Sequence, residues 1–256
     1  LMSSRNIRRK YGQNYLKDPA ILFEMGEAIS PNHFDNFIEI GPGLGALTNQ
    51  INKENVSVVG VDIDESNIEA LRTKFKGPAN FKFINEDILK FKLGGSGVPF
   101  RIIGNLPYNI STQIILNYVD SYEEILDMHF LVQKEVAQKI SSRVSTKGWG
   151  KLAIKISAFF ETEILFEVPP EAFDIKPKVD STFIRFLPKK DLSYNLSIKN
   201  NLYKIVDLAF SSRRKTIKNN LKSLDINWNK LDINPAKRSE EISLKNYIKL
   251  AKDYSS

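Results

Sequence analysis

Residues 37–53 read FIEIGPGLGALTNQINK. A short apolar strand, 37–40, runs into five residues holding Gly41, Gly43 and Gly45, and a helix-compatible stretch follows. Glycines at a strand-to-helix turn let the backbone approach a ligand and leave amide groups pointing outward near a helix start. A second strand, VSVVGV at 56–61, ends at Asp62. That is about twenty residues past Gly41, the separation at which an acid reaches a ribose hydroxyl in a βαβ nucleotide site. A cofactor carrying adenosine is therefore expected, with Gly41 and Asp62 against it. Its identity stays open on spacing alone. The dinucleotide fingerprint is G-x-G-x-x-G, and its third glycine falls here on Ala46, which the fingerprint tolerates. A nicotinamide dehydrogenase is weakened by the spacing and is still a reading of it.

Two further strand ends carry polar groups. Strand 81–84 delivers Asn85-Glu86-Asp87-Ile88, and Asp87 is placed to accept a hydrogen bond from an adenine amine; its plain alternative is a solvated loop acid. Strand 100–104 (FRIIG) runs into Asn105-Leu106-Pro107-Tyr108. Pro107 has no N–H to give a neighbouring strand, so the chain leaves the sheet there, at the carboxyl edge where open α/β sheets bind ligands. An amide, an exposed carbonyl and an aromatic ring then stand together, which is the equipment for holding a flat base by its exocyclic amine. Alone, the tetrapeptide would read as an ordinary Asn-x-Pro loop.

Taken in order, EIGPGLGALT (39–48), VDID (61–64), NEDIL (85–89) and NLPYNIST (105–112) resemble the KsgA-type small-subunit (16S) rRNA adenine N6,N6-dimethyltransferase family. The resemblance extends to RRKYGQNYLKD (8–18), DMHFLVQKEVAQKI (127–140), VPPEAF (168–173), PKVDS (177–181) and AFSSRRKTIKNNLKSL (209–224), and so covers almost the whole chain. It implies an α/β fold, a Rossmann-like class I methyltransferase with a seven-stranded mixed sheet and helices on both faces, followed by a small all-helical domain. It implies S-adenosyl-L-methionine as cofactor, contacted by Asn14, Leu16, Gly41, Asp62, Asp87 and Asn105. The implied substrate is two adjacent adenosines in a hairpin loop near the 3′ end of 16S rRNA, each dimethylated during late small-subunit assembly. The chain departs from the family at Asp62, usually Glu, and at Ile175, usually proline.

An adenine amine is a poor nucleophile because its lone pair is delocalised into the ring. The expected chemistry is localisation of that pair: the Asn105 side-chain oxygen and the Pro107 carbonyl accept the amine hydrogens, Tyr108 stacks on the base, and Phe173 forms a second wall. Stacking of this kind is worth about 1–3 kcal/mol per base. The target nucleotide must first leave its stack.

Composition agrees without having been able to suggest this. The 256 residues, 42% hydrophobic, can bury a substantial core, and the absence of cysteine removes disulfides and thiolate metal sites. His33 and His129 share no metal-ligand spacing and are read as structural or surface residues, so no metal is expected. No apolar run approaches membrane-spanning length, and no secretory pattern opens the chain, so a cytoplasmic, membrane-free and monomeric protein is expected; Leu1 ahead of Met2 is set aside as foreign. Charge is uneven: from Lys189 onward fifteen Lys and Arg face seven Asp and Glu, +8, whereas residues 18–188 come to −6. The first seventeen residues hold Arg5, Arg8, Arg9, Lys10 and Lys17 and no acid. Two basic ends around a mildly acidic body suit a phosphate backbone. Arg213, Arg214, Lys215, Lys218 and Lys222 cluster at helical spacing and are expected to share a helix face toward RNA.

A coarse pass gives a helix from Ser111 with its hydroxyl as cap, a strand over 128–132, a helix over 134–142, strands over 163–168 and 179–187, and a linker at 188–191. Residues 151–160 fit helix or strand, and the resemblance selects helix. Residues 94–97 should form a mobile loop. The division is therefore a catalytic domain, 1–188, with a basic amino-terminal arm, and a helical, RNA-contacting domain, 189–256. Three rivals stand beside the main reading. A resistance-type large-subunit rRNA adenine methyltransferase shares the fold; a DNA adenine methyltransferase normally has a second proline where Leu106 stands; and the chain could act mainly by binding, as a ribosome-assembly factor.

Overall fold

The computed structural model describes residues 14–77, 80–94, 98–190 and 192–254. Arg5, Arg8, Arg9 and Lys10, the Gly12-Gln13 pair and most of the 94–97 loop lie outside them. The chain divides into two compact units: one runs to Ala137 and resumes over Glu163–Pro188, and the other holds Gln138–Thr162 and the residues from Lys189. The switch at 188/189 falls at the Pro188-Lys189 linker. The 138–162 excursion into the second unit was not part of the sequence-based division.

Seven strands, β1 (Asn36–Ile40), β2 (Ser57–Asp62), β3 (Phe81–Asn85), β4 (Phe100–Asn105), β5 (Ile125–Gln133), β6 (Phe160–Val168) and β7 (Ser181–Pro188), form one sheet in the order β3-β2-β1-β4-β5-β7-β6. The first five pair in parallel, and β7 pairs antiparallel with β5. This is the Rossmann-like class I methyltransferase fold expected. β1, β4 and β5 are buried along almost their whole length, which is why FIEI, RIIG and MHFLV read as continuous apolar runs and not as alternation. The chain order reverses between β1 and β4, and a crevice opens at their carboxyl ends.

Local chemistry starts the helices. α1 (Pro19–Ile29) begins where the Asp18 carboxylate accepts the amides of Ala20 and Ile21 and Pro19 takes the first helical position. It closes on Ser30 in the left-handed conformation. α2 (Ala46–Ile51) follows the glycine turn directly. In α3 (Glu65–Lys74) Asp64 caps the first turn, and Arg72 and Lys74 complement the dipole at its end. α4 (Ser111–Asn117) corrects one expectation: Ser111 is already helical and wholly buried, and its hydroxyl donates back to the Tyr108 carbonyl, so it does not cap. α5 (Lys134–Ile140) follows β5. Leu22, Met25 and Ile29 of α1 and Leu47 and Ile51 of α2 close one core with Phe37, Val58, Ile103 and Leu131 of the sheet.

In the second unit, α6 (Lys151–Ser157) packs against α7 (Lys199–Ala209), which packs against α10 (Leu244–Asp253). α8 (Ile217–Asn220) and α9 (Trp228–Leu231) are single turns. The basic stretch is not the helix expected from its spacing. α7 stops at Ala209 because the buried Asn220 amide donates to the Ala209 and Ser212 carbonyls, taking groups a continuing helix would need. Arg213, Arg214 and Lys215 therefore lie on an exposed turn; Thr216 bridges to Arg238 and caps α8, which carries Lys218.

Three buried polar groups in the first unit have different costs. Arg101 of β4 donates to Asp127, Asp35 and the carbonyls of Ile29 and Ser30. Burial opposes its charge, and the two carboxylates outweigh that and raise its pKa. His129 of β5 is wholly buried with no hydrogen-bond partner for either ring nitrogen among the described residues, and burial pushes the imidazole down to about 4, so it is a neutral core ring beside Phe183. Glu39 of β1 is 2% exposed and accepts a hydrogen bond from the Thr48 hydroxyl of α2 at 2.6 Å, with the Thr48 backbone amide also turned to it. Burial first, with the charge of Asp62 adding to it, pushes its carboxyl up to about 7.

Two outcomes follow. Arg101→Met strands two carboxylates and two carbonyls, and urea unfolding should show a loss of about 3–5 kcal/mol. For Glu39 the unfolded chain ionises first, so native stability falls as pH rises from the ordinary glutamate range through about 7. Glu39→Gln should match the parent near pH 4.5 and exceed it by up to about 3 kcal/mol above pH 7 in urea titrations at several pH values; parallel pH curves would refute the assignment.

Candidate active site at the carboxyl ends of β1 and β4

Register gathers the motifs. Ile40 of β1 pairs with Gly104 of β4 and with Val61 of β2, and Asp62 pairs with Asn85 of β3. Gly41, Asn105, Asp62 and, two residues past Asn85, Asp87 therefore stand in one row along the sheet's carboxyl edge. They line a cavity of about 280 Å³ together with Asn14, Pro107 and Tyr108. A Cβ built on Gly104 would lie 2.6 Å from the Ile40 carbonyl oxygen, so only glycine allows β1 and β4 to sit this closely. Gly41 has φ +61°, and a Cβ there would meet no protein atom, projecting into open space at the turn.

The polar groups of this row are held from behind. The Asn105 amide donates from Nδ2 to the Asn14 carbonyl at 2.8 Å. A carbonyl can only accept, so this bond assigns Nδ2 to the Asn14 side and leaves Oδ1 as the acceptor atom of the amide. The Pro107 carbonyl already accepts the Ile110 amide at 3.2 Å and keeps its second lone pair. Tyr108 shares a 2.5 Å hydrogen bond with the wholly buried Ser181 hydroxyl at the start of β7; burial, partly offset by that bond, raises the phenol's pKa. Asp62 is 5% exposed and accepts from the amides of Asp64 and Gly43 and from Asn67 Nδ2. Burial raises its carboxyl, and those three donors pull the other way. One oxygen of Asp87 accepts the Leu89 amide, which shapes its loop.

A second cavity of about 290 Å³ shares Tyr15, Gly41 and Asn105 with the first and is lined by Leu16, Lys17, Glu39 and Asp174 among others. Leu16 therefore borders this cavity and not the first. Residues 14–18 are laced down beside both: the Tyr15 amide donates to the Asp174 carboxylate, the Asp174 amide to the Tyr15 carbonyl, and Leu16 bridges Phe173. Phe173 departs from its expected role as a wall. It is wholly buried, packed in the core with Phe183, Val168 and Leu16, and lines neither cavity. Tyr15, Glu39, Asn67 and Ser181 are the neighbours that sequence reasoning missed.

Among the described residues the first cavity has three carboxylates on its walls, Asp62, Glu86 and Asp87, and no Lys, Arg or His. A pyrophosphate would meet like charge on these walls, which counts against the dinucleotide reading that the glycine spacing had left standing. No helix among the described residues is long and apolar enough to cross a membrane.

Comparison with known proteins agrees with this geometry. The family model described as ribosomal RNA adenine dimethylase matches residues 4–255. A ribosomal RNA small subunit methyltransferase A of Saccharophagus degradans is 38% identical over 255 residues, 98% of this chain and 95% of its own. Its namesake in Legionella pneumophila is 39% identical over 247 residues, covering 96% of each chain. Among solved structures, a dimethyladenosine transferase from Plasmodium falciparum aligns with TM-score 0.80 at 22% identity over 94% of this chain and 97% of its own. The 23S rRNA methyltransferase ErmE aligns with TM-score 0.73 at 22% identity, covering 95% and 100%. At that identity the last two speak for the fold only. On the family match across nearly its whole length, the chain belongs to the ribosomal RNA adenine dimethylases.

Proposed function

We propose that this chain is an S-adenosyl-L-methionine-dependent methyltransferase that dimethylates N6 of two adjacent adenosines in a hairpin loop near the 3′ end of 16S rRNA during small-subunit biogenesis. The relatives named for the small subunit cover the chain end to end at 36–39% identity, which favours that subunit over the large one. The chain would act in the cytoplasm as a monomer.

The observation that carries the reading is the Asn105 to Asn14 hydrogen bond, because it turns the Asn105 NH₂ to the Asn14 carbonyl and leaves the oxygen to meet a base amine. That oxygen and the second lone pair of the Pro107 carbonyl each accept one amine hydrogen. Both bonds strengthen as the amine nitrogen leaves conjugation with the ring and its lone pair becomes localised. Tyr108, its ring fixed through Ser181, stacks on the base. Positioning and fixed dipoles supply the acceleration, and no histidine or cysteine is needed.

The residues present fit the donor. Gly41 leaves room beside the turn, Asp62 is assigned to the ribose and Asp87 to the adenine amine. The adjoining cavity mixes Lys17 with Glu39 and Asp174, a pairing of signs that suits a zwitterionic amino-acid end, and Leu16 borders it. When bound, the donor supplies an electrophilic methyl on a sulfonium; the acidic walls are compatible with that positive charge. Arg213, Arg214, Lys215 and Lys218, all exposed, are assigned to the RNA backbone.

Asn105→Ala should reduce methyl transfer to unmodified small subunits by at least about 10²–10³-fold, with RNA retention on filters nearly unchanged. Undiminished incorporation of labelled methyl would remove Asn105 from the chemistry. Replacing Arg213, Arg214 and Lys215 together by Ala should weaken RNA binding and lower the slope of log affinity against log salt by about 2; an unchanged slope would move the RNA contact elsewhere. Mass-spectrometric mapping of the modified nucleotides identifies the target directly.

A further inference from the structure

Asp62 has a short side chain, and its carboxylate is already engaged. Oδ2 accepts from the Gly43 amide at 3.2 Å and from Asn67 Nδ2 at 3.1 Å, and Oδ1 accepts from the Asp64 amide at 2.9 Å. A carboxylate offers about four lone-pair positions, so one remains, on Oδ1. Asn67 is itself 4% exposed, and its Oδ1 accepts the Tyr15 hydroxyl at 3.1 Å. The polarity of this chain is fixed at its far end, since a carboxylate can only accept: phenol donates to amide, and amide donates to carboxylate. The Tyr15 ring also fills the space beside Gly43, where an added Cβ would lie 2.9 Å from it.

Resting on the donor-site reading above, we propose that Tyr15 and Asn67 are positioning residues that hold Asp62 with a single open acceptor, so that the donor's ribose is recognised through one hydroxyl and not two. Two consequences follow for the molecule. The short acid does not need to span the diol, because its second oxygen is spent inside the protein. The segment at 14–18, which also orients Asn105 through the Asn14 carbonyl, becomes coupled to ribose recognition through the Tyr15 side chain.

The test is calorimetric, on the full chain, with S-adenosylhomocysteine and its 2′-deoxy and 3′-deoxy analogues as probes. The parent protein should lose about tenfold in affinity for one deoxy analogue and less than about twofold for the other. Tyr15→Phe, which removes one oxygen, should weaken S-adenosylhomocysteine about three- to tenfold, and should add almost nothing to the loss already caused by the discriminating deoxy analogue. Asn67→Ser should behave alike, and the double variant should lose no more than either single one; thermal melts of each variant report that it is folded. Equal losses with both deoxy analogues, or a Tyr15→Phe penalty that is absent or that persists in full with the discriminating analogue, would overturn the proposal. Failure of the parent itself to bind S-adenosylhomocysteine would instead sink the donor-site reading.

Discussion

The close approach of β1 and β4 is the constraint on which the site depends. These strands carry the glycine turn and the Asn-Leu-Pro-Tyr corner, and their separation is set where Gly104 faces the Ile40 carbonyl. Any side chain at 104 would force them apart or break their ladder. Because the pairing is parallel and in register, the residues that follow, Gly41 and Asn105, emerge side by side at the carboxyl edge. The same ladder continues through Val61 to Asp62 and on to Asn85, so three strand ends deliver their polar groups to one crevice without any loop having to reach for it. At the opposite end of β4, Arg101 ties the strand to Asp127 of β5 and to the end of α1, so the central strands are tied at one edge and open at the other.

Much of this was legible from residues alone. The strands at 37–40 and 100–104 are buried along almost their whole length, and burial of that kind writes itself as a nearly unbroken apolar run; the edge strand at 81–84 exposes Lys82 and alternates instead. Pro107 and the glycines mark where the chain leaves the sheet. The fold followed because each local signal agreed with the next. What could not be read was decided by partners far away in the chain. The turn at Arg213 depends on Asn220, whose buried amide competes for the end of α7, although the spacing of the cations is helical. Phe173 is turned into the core by the pairing of its backbone with Leu16, more than a hundred residues earlier. Ser111 has the right residue type for a cap and stands one position too late. α1 carries a good start signal in Asp18-Pro19, just after the GQNYL motif, and is absent from the sequence-based elements.

The candidate site shows the same division. Asn105, Asp62 and Asp87 could be named because each follows a strand at a fixed offset. Their supports could not: Asn14 contributes a backbone carbonyl, Ser181 enters from β7, and Asn67 comes from the helix after the acid it serves. Side chains that act on a ligand sit at conspicuous places in a βαβ unit, whereas those that aim them are set only by packing. Glu39 is the clearest instance. Within EIGPG it reads as a polar residue on a buried strand, and only the fold reveals a buried carboxyl held by Thr48 with a cavity beside it.

Electrostatics decide between ligands that the glycine turn alone cannot tell apart. A Rossmann-type site for a dinucleotide uses the helix start and its amides to hold negative charge. Here the amide of Gly43, the middle glycine, is turned inward to Asp62, and among the described residues the walls around the opening carry Asp62, Glu86 and Asp87 without a cation. The turn's positive potential is thus directed at the protein's own carboxylate, in keeping with the proposed donor, whose adenosine is neutral and whose sulfonium is positive. In the proposed reading the chemistry likewise needs no titrating base. The acceptors at the corner are an amide oxygen and a backbone carbonyl, neutral groups whose strength does not depend on pH and whose orientation is set before any substrate arrives, by Asn14 on one side and the Ile110 turn on the other. In the proposed reading acids bind and neutral dipoles act, and β1 and β4 keep the two sets of groups adjacent.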